Sequence, residues 1–346
     1  MSLETPYEGS AANTSLPVRL KLGFDNYSIR ALGWKAPRLL EYAFKAELDT
    51  VLFSDLDVYE SHSDSYLAEI KCRAQDQGIE IHAGTGSICP SSNTFDRRFG
   101  TAEEHLALLI RIAQKVGSPV ARCYLGNFKD RTVPGGIEGH LQQLLQVLKS
   151  ARSRALDAGV KIAVENHAGD LQARELVTLI EEAGPDFVGA TMDCGNATWT
   201  LEHPLHSLEL LGPYAVTTGI RDSMIWEVEE GAQVQWTAVG EGLIDFQSYL
   251  ARFAVLCPNT PIQLEIISGV PRTIPYLTNS FWKDFSTARA FEFAQFIKLA
   301  KQGTPLAPFQ APAAKDPKIA VQEYQLQQLE SSIRYCKDRL GLGLRP

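Results

Sequence analysis

The chain has 346 residues and an ordinary globular composition, 45% hydrophobic and 21% charged. Its formal net charge of −8 argues against nucleic acid or an anionic membrane surface as the main partner, because both attract basic surfaces. No apolar stretch reaches the ~20 residues that a membrane-spanning helix needs, so we expect no membrane association.

The N-terminal segment and the cysteines favour a cytoplasmic location. Residues 1–17 lack a basic region followed by an apolar one, so we expect no secretory signal. The six cysteines form no CxxC pair and show no framework spacing, which indicates reduced thiols.

Short apolar runs alternate with amphipathic helices along residues 18–302. The runs, each a predicted strand, are LKLGFD (20–25), LDTVLFS (48–54), IEIHAG (79–84), PVARCYLG (119–126), VKIAVEN (160–166), FVGATMD (187–193), YAVTTGI (214–220) and IQLEII (262–267). Helices are predicted at 36–46, 65–78, 101–116, 136–158, 173–183 and 284–300, and near His206 and Phe246. Long loops are expected after the seventh and eighth strands. Their aromatic residues, Trp226, Trp236, Tyr276, Phe281 and Trp282, could form a wall beside a polyol site or could simply pack in the interior.

Repeated strand–helix units give parallel strands with right-handed crossovers. Eight such units favour a closed (β/α)8 TIM barrel at residues 18–302, and an open doubly wound sheet is the structural alternative. No G-x-G-x-x-G or Walker-type loop follows a strand, which removes the usual phosphate-loop form of that alternative. Residues 303–346 are predicted as a Pro/Ala linker and a C-terminal helix. The apolar stripe of that helix is expected to pack on the barrel underside or on a second subunit, as in a homodimer.

Three carboxylates stand at predicted strand ends: Glu165, Asp193 and Glu265. Strand C-termini of an α/β barrel open onto one face, so residues far apart in sequence can converge there. Three such groups need a cation to coexist at neutral pH without large repulsion. Helix capping would also explain Glu165, and turn formation would explain Asp193. Glu265 is the strongest case, because a lone charge among Ile and Leu residues would cost several kcal/mol.

Other polar residues at predicted strand ends and in the following loops are candidates for binding a substrate. Arg221 could bind a carboxylate or phosphate with two hydrogen bonds, although Arg221 and Asp222 could equally form a structural ion pair. Asp222 is a further candidate metal ligand. The candidate substrate-binding residues are His82, Arg122, His167, Asn196, Arg221 and Arg272.

The motifs VENHAGD, TMDCGN, GIRDS, VGEGLIDF and LEIISG resemble those of the xylose isomerase-like barrel superfamily, in its sugar phosphate isomerase/epimerase group. The resemblance covers residues 18–302. It implies that Glu165, Asp193 and Glu265, with a His on strand seven, hold one divalent cation. The position of that His is Gly219 here, so the fourth ligand is missing, and Asp222 and His167 are the available substitutes. Three carboxylates would suit Mn²⁺, Mg²⁺ or Co²⁺ better than Zn²⁺.

The resemblance implies a metal-dependent isomerase or epimerase of a sugar or sugar acid, with Glu165 and Glu265 moving the proton of an enediolate intermediate. The segments NYSIRALGWKAPRLLEYA and GVPRTIP are also similar to a subgroup that decarboxylates 3-oxo-isoapionate. In that alternative, Arg221, Arg122 or Arg30 would hold the departing carboxylate. A third hypothesis is a barrel that binds a sugar without catalysis. DNA-directed relatives are disfavoured, because their multi-metal sites need several His residues at strand ends.

Overall fold

The structure, a computed structural model, describes residues 19–345. Within this range the chain forms eleven strands, most of them short and buried. In chain order they are β1 (Leu22–Asp25), β2 (Thr50–Phe53), β3 (Glu80–Ser87), β4 (Val120–Tyr124), β5 (Lys161–Glu165), β6 (Val188–Asp193), β7 (Ala215–Gly219), β8 (Asp222–Val228), β9 (Gly231–Thr237), β10 (Ile262–Leu264) and β11 (Pro271–Ile274).

Eight parallel strands form the central barrel, in the order β10-β1-β2-β3-β4-β5-β6-β7. The ring closes between β10 and the residue that follows β7. There the backbone N–H of Ile220 donates to the carbonyl of Gln263 at 2.7 Å, and the N–H of Glu265 donates to the carbonyl of Ile220 at 3.0 Å. This confirms the predicted (β/α)8 barrel, in which the C-terminal ends of all eight strands meet at one mouth.

Helices surround the barrel and bury their apolar faces against the strands. Local sequence sets several of their ends. For example, Thr101 and Glu104 form a capping box at the start of α3, and Gly117 ends that helix in a left-handed conformation. The α-helices of the described residues are α1 (Ala36–Lys45), α2 (Asp64–Asp76), α3 (Ala102–Val116), α4 (Gly136–Ser150), α5 (Arg152–Ala158), α6 (Ala173–Ala183), α7 (Cys194–Ala197), α8 (Pro204–Leu211), α9 (Phe246–Leu256), α10 (Ala290–Ala300) and α11 (Pro317–Leu340).

Several predicted elements differ from the structure. The helix expected at 284–300 begins only at Ala290. The helix expected at 136–158 is divided into α4 and α5, next to Ser150, whose hydroxyl donates to the carbonyl of Val147 and so competes with the helical bonding pattern. The region expected to be loop after strands seven and eight contains a three-stranded antiparallel sheet in the order β11-β9-β8. Alternating side chains in β8 and β9 place one face of this sheet on a second hydrophobic cluster.

The C-terminal helix packs on the barrel of its own chain, but along its side rather than on the predicted underside, since Gln322 and Gln325 near its start bond the backbone of Ala31, which follows β1 at the mouth. Leu329, Ile333 and Cys336 of α11 are buried in the main hydrophobic core. The chain after the helix reaches the amino ends of the strands, where the N–H of Gly343 donates to the carbonyl of Leu20 at 2.9 Å. A homodimer remains a prediction. None of the helices within residues 19–345 has the length and apolar character that crossing a membrane requires.

Candidate active site

Three carboxylates converge at the mouth of the barrel. Glu165 is the last residue of β5, Asp193 is the last residue of β6, and Glu265 directly follows β10. Each is buried, and each offers one oxygen within 4.8 Å of the others. The cluster combines residues 100 positions apart because parallel strands end at the same level. Considered without their neighbours, these three carboxylates could hold a metal ion.

Two buried arginines contact the three carboxylates. The Nη2 atom of Arg221 donates to Oε2 of Glu265 at 2.5 Å and also to Oδ2 of Asp193. The Nε atom of Arg122 donates to Oε2 of Glu165 at 2.6 Å. Guanidinium groups keep their charge at every relevant pH, so two permanent positive charges lie among the three acidic groups.

Two asparagines fix the positions of the carboxylates. The Nδ2 atom of Asn196 donates to Oε1 of Glu165 at 3.0 Å, and its backbone N–H donates to Oδ1 of Asp193 at 2.7 Å. Asn166 exchanges two hydrogen bonds with the backbone of Asp193, at 2.8 and 2.9 Å. The site is therefore held by its surroundings before any ligand binds.

Burial makes the charged form of these acids costly. Burial raises the pKa of Asp193 to about 7 and the pKa of Glu165 well above its ordinary value, while the neighbouring arginines act in the opposite direction. Burial likewise raises the pKa of Asp25 to about 7, even though Asp25 accepts a hydrogen bond from Ser54 at 2.6 Å. The carboxylates thus depend on nearby positive groups to remain ionised at pH 7.

The surroundings of the three carboxylates do not fit a divalent ion. Gly219, at the position of the expected fourth ligand, has no side chain. A Cβ atom built on it would lie 2.8 Å from Asp193 Oδ2 and 2.9 Å from Glu265 Oε2. The oxygen atoms that would bind the ion, Asp193 Oδ2 and Glu265 Oε2, already accept hydrogen bonds from Arg221. An ion could use them only if Arg221 moved away.

A cavity of about 480 Å³ lies at the mouth of the barrel. Glu265, Arg221 and Asn196 belong to its lining, whereas Glu165 and Asp193 lie behind it. Its walls combine polar groups with aromatic rings. Other lining residues are Tyr27, Arg30, Arg122, Tyr124, His167, Trp199 and Trp236.

Two stacked ring pairs form the walls of this cavity. Trp199 and Trp236 stack with their ring centres 4.0 Å apart, and Tyr124 and His167 stack at 3.8 Å. Trp236 and His167 were predicted to contribute to the site, but their stacking partners Trp199 and Tyr124 were not. Tyr124 was detectable, because it lies two residues after Arg122 on the same strand and so shares its face. Trp199 lies in a short 3-10 helix, Thr198–Thr200, directly after α7 and carried no such pattern.

His167 presents a hydrogen-bond acceptor to the cavity. Its Nδ1 lies 2.7 Å from the carbonyl oxygen of Gly126, so Nδ1 carries the proton and Nε2 does not. Burial lowers the pKa of His167 to about 3, so that the ring is neutral at pH 7. A neutral imidazole in this tautomer can accept a hydrogen bond from a hydroxyl group.

Three candidate residues lie outside the cluster. His82 was predicted to lie at the end of strand three, and this prediction is wrong. It lies near the start of β3, where its ring nitrogens contact Thr217 and Glu80, both at 2.8 Å. Asp222 accepts hydrogen bonds from four backbone N–H groups, among them Gly242 at 3.0 Å, and so anchors a loop rather than joining the carboxylates.

Arg272 also lies behind the cavity wall. Its guanidinium carbon is 3.3 Å from the ring centre of Phe128 and 4.5 Å from that of Trp199. Burial lowers the pKa of Arg272 to about 10. Tyr276, Phe281 and Trp282, which were expected to line a sugar site, pack in the second hydrophobic cluster.

Comparison with known proteins agrees with this architecture. The sequence profile of the family described as "Xylose isomerase-like TIM barrel" matches residues 40–266, more than half of the chain. The chain belongs to this family. None of the curated proteins compared with the sequence matches it.

Several solved structures share the fold of this xylose isomerase-like chain at low sequence identity. D-psicose 3-epimerase from Clostridium cellulolyticum H10, solved with D-tagatose, is 16% identical, with 91% of this chain and 99% of that chain covered and a TM-score of 0.56. The 3-keto-D-glucoside 4-epimerase YcjR from E. coli is 12% identical, covering 78% and 98%, with a TM-score of 0.55. An IolI protein with a bound zinc atom is 15% identical, covering 83% and 100%, with a TM-score of 0.56.

Proposed function

We propose that this xylose isomerase-like protein isomerises or epimerises a small sugar or sugar acid by moving a proton next to a carbonyl group. The observation that carries the proposal is the position of Glu265, whose carboxylate lines a cavity of about 480 Å³ and is hydrogen-bonded to Arg221 at 2.5 Å. A cavity of this size accommodates a monosaccharide. Two of the structurally similar proteins are named as sugar epimerases, which supports this class of reaction.

In the proposed reaction, Glu265 removes the proton from the carbon beside the carbonyl. The resulting enediolate carries negative charge on oxygen, and positive groups already fixed at the cavity stabilise it without reorganising. Arg221 and Arg122 are the two arginines of the cavity lining that contact the carboxylates, and we assign them this task.

A reaction that returns the proton on the opposite face needs a second proton carrier. The sequence assigned this task to Glu165, which lies behind the cavity lining and is bonded to Arg122 and Asn196. His167 lines the cavity and presents an unprotonated Nε2. We therefore propose Glu265 for the first transfer and Glu165 for the second, because burial raises the pKa of Glu165 and so favours the protonated form that can return a proton. The unprotonated Nε2 of His167 has no proton to return, and we assign it the acceptance of a hydrogen bond from a substrate hydroxyl.

Decarboxylation of a 3-oxo sugar acid is the second candidate function, because one arginine at the cavity lacks a carboxylate partner. Arg30 lies over the ring of Tyr27 at 4.5 Å and forms no ion pair within residues 19–345. A guanidinium at the mouth that is not neutralised suits a substrate carboxylate. The two candidate reactions share the stabilised enolate and differ only in whether CO₂ leaves.

The test is incubation of the protein in deuterated water with ketohexoses, 3-keto sugars and 3-oxo sugar acids, followed by NMR. An isomerase or epimerase gives a new sugar of unchanged carbon number with deuterium at one carbon, whereas a decarboxylase releases CO₂. Glu265→Gln should lower kcat about 100-fold or more, because it removes the proton carrier. Glu182→Gln, which changes an exposed glutamate of α6, is the matched control. Sugar binding without turnover or deuterium exchange would contradict the proposal and favour the binding protein.

A further inference from the structure

We infer that Arg221 takes the place of a metal ion in this site. Its guanidinium group is the resident cation between Asp193 and Glu265, and it donates hydrogen bonds to an oxygen of the bound ligand. The identity of that ligand rests on the proposed function. The exclusion of a divalent ion rests on the geometry of the chain alone.

The first observation is the position of one nitrogen atom. Nη2 of Arg221 donates to Asp193 and to Glu265, so two carboxylates from different strands share it, as they would share an ion. All three side chains are nearly inaccessible, with relative exposures of 1%, 0% and 3%. The Arg221 guanidinium also lies 4.4 Å from the ring centre of Trp236, which holds it in one orientation.

The second observation is that two glycines make room for this arrangement. A Cβ atom on Gly195 would lie 2.3 Å from Cγ of Arg221, so a side chain there would displace the stem of the arginine. A Cβ atom on Gly219 would lie under 3.0 Å from an oxygen of both Asp193 and Glu265. One glycine thus admits the arginine, and the other lets the two carboxylates approach the position it occupies.

The third observation is that Arg221 keeps donors for a ligand. Nη2 uses its two hydrogens on the carboxylates. Nε is buried and has no hydrogen-bond partner within residues 19–345, and Nη1 donates to no acceptor in the same range. Arg221 also lines the cavity. A carbonyl or enolate oxygen of a ligand in the cavity is the acceptor that we assign to Nη1, whereas Nε is too deeply buried to meet a ligand.

The charge of the cluster also opposes a second cation. Arg122 is paired with Glu165, so all three carboxylates already contact a guanidinium. A divalent ion binds carboxylate oxygens at about 2.0–2.6 Å. An ion on the same two oxygens as Arg221 would therefore lie within roughly 4 Å of its permanent charge, where repulsion between buried charges is strong.

The experiment measures ion binding directly, with MnCl₂, MgCl₂, CoCl₂ and ZnCl₂ as the probes and no sugar present. The full chain is analysed for metal content as purified, and is then titrated by calorimetry. We expect far less than one ion per wild-type chain and no saturable binding. Arg221→Met should raise the affinity for Mn²⁺ at least about 100-fold, because the repelling charge is removed. Arg152→Met, which removes the exposed guanidinium that pairs with Asp186, should leave the affinity for Mn²⁺ unchanged.

A wild-type chain that binds one Mn²⁺ stoichiometrically would overturn the inference, as would a folded Arg221→Met protein that gains no binding. If Arg221→Met does not fold, the wild-type titration still shows whether the native site binds a divalent ion. Gly195→Ala then serves as the second variant, because its methyl group should displace Arg221 and expose the carboxylates to Mn²⁺. These measurements need no turnover, so failure of the proposed reaction would leave their outcome unchanged.

Discussion

The ion pair between Arg122 and Glu165 gives a prediction that can be worked from the structure. Both side chains are almost fully buried, and Arg122 donates to Glu165 from Nε at 2.6 Å and also from Nη2. Glu165→Gln keeps the shape of the side chain and removes the charge. The new amide can still form hydrogen bonds, because Asn196 has a buried oxygen without a partner and can turn to accept one. The remaining loss in the free energy of unfolding comes from the buried charge of Arg122, which no longer has an ionised partner.

Removing one partner of a buried ion pair typically costs about 3–5 kcal/mol. We therefore expect the free energy of unfolding of Glu165→Gln to fall by about that amount. For a chain of this size, with an m-value of about 3 kcal/mol/M, the urea midpoint should fall by roughly 1–1.7 M. The matched control is Asp186→Asn, which breaks the exposed pair with Arg152 and should cost less than about 1 kcal/mol.

A double-mutant cycle completes this test. Arg122→Met combined with Glu165→Gln should recover about 3 kcal/mol relative to the sum of the single changes, because no buried charge is left. Arg122→Met alone should become less stable as pH rises. In this variant Glu165 is buried without its positive partner. Burial raises the pKa of Glu165 in the folded chain above its pKa in the unfolded chain, so the free energy of unfolding decreases as the pH rises through the folded-state pKa. If Glu165→Gln unfolds within about 1 kcal/mol of wild type, Arg122 does not depend on the charge of Glu165, and the reasoning is refuted.

Two further predictions concern residues near the site. Burial lowers the pKa of His105 to about 4, so the unfolded chain takes up a proton first as pH falls below about 6.5. The free energy of unfolding should therefore fall by up to about 3 kcal/mol between pH 6.5 and 4. Urea titrations of His105→Gln should show a weaker dependence on pH. An unchanged dependence would exclude His105 as its cause. Asp222→Asn should cost about 2–3 kcal/mol, because the amide cannot accept all four backbone hydrogen bonds, and it should leave Mn²⁺ binding unaltered. Mn²⁺ binding by the wild-type chain that is weakened in Asp222→Asn would instead support Asp222 as a metal ligand.

The eight-stranded barrel was predictable because its determinants are local. Each strand is a short apolar run and each following helix shows a 3.6-residue period, so the order of elements follows from neighbouring residues. Counting eight units then favoured closure, and the positions of Glu165, Asp193 and Glu265 at strand ends favoured their convergence.

The antiparallel sheet of β8, β9 and β11 was missed although part of its pattern was present. In β9 the apolar Ala232, Val234 and Trp236 alternate with polar residues, and a two-residue turn at Glu229 and Glu230 precedes the strand, which is typical of a hairpin. Because these strands lie outside the strand–helix repeat, the segment was interpreted as a loop. His82 was misplaced for a related reason: β3 continues to Ser87, three residues beyond the run that the apolar pattern defined.

The sequence by itself determined the barrel, its open face and the three acidic residues there, because strand period and strand ends are properties of adjacent residues. Only the tertiary structure decided how the charges pair. Arg221 and Asp222 are adjacent in sequence, yet Arg221 enters the cluster of carboxylates, whereas Asp222 anchors a surface loop. That difference depends on the space left by Gly195 and on the ring of Trp236, two residues from other parts of the chain. Contacts between distant segments form only when the barrel closes, so no local pattern contains them.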